Sequence, residues 1–100
     1  MLDNGKLYTI IGSLIRKARE KMNMTQDALS ERLGLTRTSI SNFERGQQHV
    51  QLHTLYQIAI LLEVPIADLL PEVSLVESEV NNATEQEIIL QQLFSTESRR

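Results

Sequence analysis

Between Leu7 and Met22 the apolar residues Ile11, Leu14, Ile15, Ala18 and Met22 recur at i, i+3, i+4, i+7 and i+11. That spacing places them on one face of a helix. Met1 to Lys6 shows no such period and reads as a frayed end. A second stripe, Ala28, Leu29 and Leu33, marks a shorter helix. A third, Ile40 and Phe43 at i, i+3, marks another. Leu55, Ile58, Ala59 and Leu62 turn one face of a fourth helix inward over about Leu52 to Leu62. Pro65 fits the first turn of a short fifth helix, Ile66 to Leu70, which Pro71 ends. No single helix of this kind is stable alone, so the stripes must be buried against one another.

Beyond Pro71 the pattern weakens. Val73, Leu75, Val76 and Val80 stand among acids and asparagines, and fit a linker, a short strand or the start of another helix. Thr84 to Glu87 then forms a capping box, with Thr84 as N-cap and Glu87 three residues on. Behind it come Ile88, Ile89, Leu90, Leu93 and Phe94, too apolar for an isolated surface helix. They require a cover: the domain's own back, a second copy, or another protein. Self-association is the favoured cover. The organisation is thus a domain over 1–71, an acidic linker over 72–83 and a C-terminal helix over 84–95.

The stretch from Thr25 to Gly46 carries the most information. Thr25 is a plausible N-cap, and Asp27 follows in the first turn, where the helix dipole favours an acid. Gly34 stands where a helix ends in a left-handed residue. Thr36 can cap the next helix. Opposite its apolar stripe lie Arg37, Thr38, Ser39, Ser41 and Asn42, with no acid before Glu44. A short helix with an outer face of donors suits the major groove of DNA.

The matching residues Gln26, Leu29, Gly34, Leu35, Thr36, Ile40, Ser41, Phe43, Glu44, Arg45 and Gly46 make this stretch resemble the helix-turn-helix of the Cro and phage-repressor (XRE) family. The ending Ser41-Asn42-Phe43-Glu44-Arg45-Gly46 is its most particular part, and the resemblance runs from about Ile11 to Leu70. It implies an all-α, five-helix lambda-repressor-like DNA-binding domain, here with a C-terminal helical extension. The chain departs from the family pattern at Val50, where a proline is frequent, and at Gln51, where a serine cap is frequent. Glutamine caps poorly, which blurs the start of the fourth helix.

Position by position, the resemblance implies base contacts by Arg37, Thr38 and Asn42. Arginine pairs bidentately with guanine O6 and N7, and asparagine suits adenine. It implies backbone contacts by Gln26, Thr36, Ser39, Arg45 and Gln47, which set register without specifying sequence. Arg16 and Lys17 are further candidates for phosphate contact, against a solvated helix face. Arg19 matches an arginine that pairs with Glu44, ties the first helix to the third and aims its guanidinium at a phosphate. Ser41 either touches DNA or is merely small enough for close approach. One such helix reads only a few base pairs, so a homodimer on an inverted repeat is implied, its two readers about 34 Å apart. Ile88, Ile89, Leu90, Leu93 and Phe94 are the candidate dimerisation residues.

Charge refines this picture. The net charge of −3 is unevenly spread: up to Leu70 there are eight basic against seven acidic residues, and from Pro71 six acidic against two basic. The tail carries the negative charge, while bases gather in the first helix and the motif. Binding should be salt-sensitive without a large phosphate footprint. The chain has no cysteine, which excludes disulfides and thiolate metal sites. It shows no long apolar run and no secretory signal, so a cytoplasmic protein is expected.

No glycine-rich phosphate loop and no carboxylate pair with a nearby base is present, so no enzyme and no cofactor is expected. His49 and His53 are four apart, but His49 falls in a loop and no third ligand is evident; no metal is expected. The function these features support is a transcriptional regulator, a repressor in the first instance, with double-stranded DNA as partner. The alternative is an antitoxin that binds operator DNA with its head and a toxin protein with its tail.

Overall fold

Three side chains and one glycine set most of the helix boundaries. In the computed structural model, which describes residues 1–78, the Asp3 carboxylate accepts the Lys6 N–H at 3.0 Å and opens α1, Asn4–Lys21. Thr25 Oγ1 accepts the Ala28 N–H at 3.0 Å and opens α2, Gln26–Leu33. Gly34 closes α2 at φ 68°, and the Leu35 N–H reaches back to the Ser30 carbonyl at 2.9 Å. Thr36 Oγ1 accepts the Ser39 N–H at 3.1 Å and opens α3, Arg37–Glu44. Gln51, by contrast, makes no side-chain cap for α4, Leu52–Leu61, as expected of a glutamine.

The fifth helical segment differs from its expectation. Ile66–Leu69 is a 3₁₀ turn, with Leu69 fully buried beneath it. A further single turn, α5, spans Val73–Val76 and buries Val76. Among the described residues the fold is therefore all-α apart from one isolated bridge. The core is built from the expected stripes. Ile11 and Ile15 of α1, Leu29 of α2, Ile40 and Phe43 of α3, and Leu55, Ile58 and Leu62 of α4 are all buried. Met22 is not: it caps the end of α1 in the open.

The start of the chain is tied down rather than frayed. The Asp3 N–H donates to the Val76 carbonyl at 2.8 Å, and the Ser78 N–H donates to the Met1 carbonyl at 2.7 Å. Leu2 and Glu77 face each other in an antiparallel bridge. The first half of the segment expected to be a linker is thus packed on the head. The expected helix over 84–95, with Ile88, Ile89, Leu90, Leu93 and Phe94, lies outside the described residues.

Two glycines let α3 sit close to α1. A Cβ on Gly12 would meet the carbonyl oxygens of Phe43 and Glu44, the latter at 2.7 Å. Gly46 takes φ 72°, and a Cβ there would lie 2.7 Å from Thr9 Cα. The end of α3 and the loop after it therefore rest directly on the α1 backbone.

Candidate nucleic-acid interface

The inner side of α3 is fixed by apolar packing and by one buried ion pair. Ile40 and Phe43 enter the core. Beside them Arg19 Nε lies 2.6 Å and Nη2 3.0 Å from the two Glu44 carboxylate oxygens. Arg19 Nη1 donates to the Met24 carbonyl at 2.8 Å, and Gln26 Nε2 donates to Glu44 Oε1 at 3.0 Å. Arg19 and Glu44 are 9% and 8% exposed. The Glu44 hydrogen bond, outweighing burial, raises the guanidinium above its ordinary value, so it stays charged. The guanidinium is thus turned into the protein. The tie between α1 and α3 is present, and Gln26 braces the same carboxylate. The expected aim of Arg19 at a phosphate is not displayed, because each of its three nitrogens already donates within the domain.

The outer side of α3 presents Arg37, Thr38, Ser41 and Arg45 along one shallow cleft. Their spacing of i, i+1, i+4 and i+8 keeps them on one stripe. Ser41, left open by the sequence, lies in the middle of it and is half-buried. Arg37 leans toward Asp27, with 4.0 Å between Nε and Oδ1 and both side chains about two-thirds exposed or more (68% and 73%). Such a pair is worth well under about 1 kcal/mol and gives way easily to a stronger partner. Asn42 is half-buried at the edge of the stripe, and its Oδ1 accepts from Arg45 Nη2 at 2.9 Å. Thr36 Oγ1 also donates to Ser39 Oγ at 3.1 Å, so these two hydroxyls are organised together at the start of α3.

Of the remaining sequence candidates, Gln47 is exposed in the loop, its N–H bound to the Asn42 carbonyl at 2.9 Å. Arg16 is exposed and lies 3.5 Å from Glu20, one turn on. Lys17 is the candidate that the fold separates from the others. It lines a cleft with Leu14, Val64 and Asp68. Two residues from Arg19 on a helix is about 200° of rotation, so Lys17 faces away from α3. Sequence reasoning missed the stacking of His49 on Tyr8, with ring centroids 3.9 Å apart and planes 10° apart. No local signal links residues so far apart in the chain.

Two neighbouring helices capped by threonines, an αL glycine between them and a donor stripe on the second make a helix-turn-helix. The helix-turn-helix family model matches residues 15–69. The chain belongs to this family, whose Cro and phage-repressor branch the motif residues already resemble. The ImmF control region 10 kDa protein of Bacillus phage phi105 is 35% identical over 78 residues, which cover 77% of this chain and 82% of that one. A putative HTH-type transcriptional regulatory protein of Thermococcus kodakarensis is 36% identical over 67 residues, 66% of this chain. The match spans only 21% of the archaeal protein's length. Among solved structures, the restriction-modification controller protein C.AhdI of Aeromonas hydrophila superposes with TM-score 0.59 at 27% identity, over 62% of this chain and 94% of that one. In helix-turn-helix proteins that bind DNA, the second helix of the motif is the one that lies in the major groove.

Proposed function

We propose that this chain is a sequence-specific DNA-binding transcriptional regulator, a repressor that binds an inverted-repeat operator as a homodimer. The observation that carries the reading is the outer stripe of α3: Arg37, Thr38, Ser41 and Arg45 line one open cleft on a helix whose inner side is locked by Ile40, Phe43 and the Arg19–Glu44 pair. A rigid helix with exposed donors can enter the major groove without rearranging.

In the groove, Arg37 leaves its weak partner Asp27 and donates two hydrogen bonds to guanine O6 and N7. Thr38 offers a hydroxyl or a methyl to the neighbouring pair. Arg45 swings from Asn42 to a phosphate, which frees the Asn42 amide to pair with adenine. The start of α2, with Gln26, receives a phosphate at its free N–H groups. Thr36, Ser39 and Gln47 contact the backbone on either side. Arg16 is close enough in rotation to Arg19 to join them; Lys17 is not. None of these roles involves catalysis, a cofactor or a membrane, and the protein acts where the DNA is, in the cytoplasm.

One helix contacts too few base pairs for useful specificity, so pairing of two copies supplies the rest. Ile88, Ile89, Leu90, Leu93 and Phe94 of segment 84–95 are the proposed pairing residues. No observation favours the antitoxin reading over this one. The reading is tested by stoichiometry on a duplex carrying two half-sites about one helical turn apart. Two chains per duplex are expected, and loss of segment 84–100 should weaken binding and leave single chains in solution. One chain per duplex at saturation would contradict the dimer.

A further inference from the structure

The loop after α3 is held at both ends by consecutive residues of α1. At its start Gly46, at φ 72°, lies directly on Thr9. At its end the His49 ring stacks flat on Tyr8, 3.9 Å between centroids. Between these two anchors stand Gln47 and Gln48, both with exposed side chains and both with N–H groups donating to the Asn42 carbonyl, at 2.9 and 3.3 Å. Val50, next along, is buried in the core.

His49 is an exposed residue in a loop, and exposed loop side chains ordinarily move freely. Here its ring is fixed by the half-buried Tyr8, whose body packs against the core. The aromatic pair therefore supplies an anchor that the loop's own hydrogen bonds do not. We infer that Tyr8 is a positioning residue for DNA binding: through its stack on His49 it holds the Gln47 side chain where it meets the phosphate backbone. This rests on the DNA-binding reading above. The physical gain is preorganisation, since a loop already ordered loses less freedom on association.

The test is equilibrium binding of the full chain to a duplex recovered by selection from a random library. Gln47→Ala should weaken binding about tenfold, the loss expected of one hydrogen bond to a charged group. Tyr8→Ala and His49→Ala should each cost about the same. Tyr8→Phe keeps the ring and should bind within about twofold of the unmodified chain. The discriminating variant is Tyr8→Ala combined with Gln47→Ala: if Tyr8 acts through Gln47, the second substitution adds nothing to the first. Circular dichroism melts establish that each variant is folded at the binding temperature, and His49→Ala, at an exposed site, covers the case in which Tyr8→Ala is not. Folded variants that bind like the unmodified chain, or penalties that simply add, overturn the inference and leave the DNA-binding reading standing. Recovery of no duplex overturns both.

Discussion

Arg19 and Glu44, 25 residues apart, meet in a two-point ion pair that is almost wholly buried between α1 and α3. Removing one partner leaves the other charged and desolvated, which costs about 3–5 kcal/mol. That is comparable to the whole stability of a small domain. Arg19→Met alone and Glu44→Leu alone should therefore lower the urea midpoint sharply. The double variant should be more stable than either, because no charge is then stranded. Urea titrations of the three variants check this, and a double variant as weak as both singles combined would contradict it.

The same pair makes a statement about pH. Arg19 is raised above its ordinary value by the Glu44 hydrogen bond, against burial, which lowers it. A cation whose value is raised on folding contributes fully below its unfolded value and loses that contribution only as pH climbs through the folded one. Arg19 should thus cause no drift in the urea midpoint anywhere near neutrality. Midpoints measured across the neutral range in unmodified protein and in the Arg19→Met, Glu44→Leu double variant should run parallel.

Gly12 is the other point where α1 and α3 depend on each other. A methyl group there would press on the Phe43 and Glu44 carbonyls, which are backbone and have little freedom to move. Gly12→Ala should destabilise by more than about 2 kcal/mol, although alanine is intrinsically the better helix former. A thermal melt unchanged from the unmodified protein would show that α3 can withdraw without loss.

These dependences mark the limit of what the sequence discloses. The caps Thr25 and Thr36, the αL Gly34 and the inward faces of α3 and α4 are local signals, and each is found where the spacing placed it. The Arg19–Glu44 pair was legible only through the family resemblance. Three features were not legible. The clamp of Met1 to Ser78 joins opposite ends of the described chain, and no apolar period runs through Met1 to Lys6 to announce it. The close approach at Gly12 depends on a carbonyl more than thirty residues away. Val73–Val76 is one turn long, too short for a period to separate helix from strand. Within the site, the sequence named the residues of the outer stripe but not their neighbours in space: Asp27 beside Arg37, and Arg45 on Asn42.

Phosphate contact is separable from base reading by salt dependence. Arg45→Ala should weaken binding to all duplexes alike and reduce the slope of log affinity against log salt by about 1. Lys17→Ala, on the far face of α1, should leave that slope unchanged. A slope that falls for Lys17→Ala would mean that DNA wraps further round α1 than the orientation of α3 suggests.

Thr36 contributes through the cap it makes at the start of α3. Thr36→Ala should cost about 1 kcal/mol of stability, while Thr36→Ser, which keeps the hydroxyl, should cost less. Chemical denaturation of the pair of variants decides it.

On the proposed function α3 reads base sequence, and Arg37 is its guanine reader. Selection from a random duplex library at near-physiological salt, with Arg37→Ala run beside the unmodified protein, tests it most directly. Enrichment of an inverted repeat with guanine at a fixed half-site position is expected, with loss of that preference, worth about 1–3 kcal/mol, in the variant. Enrichment of nothing above a salt-sensitive background, or an unchanged guanine preference in Arg37→Ala, would contradict it.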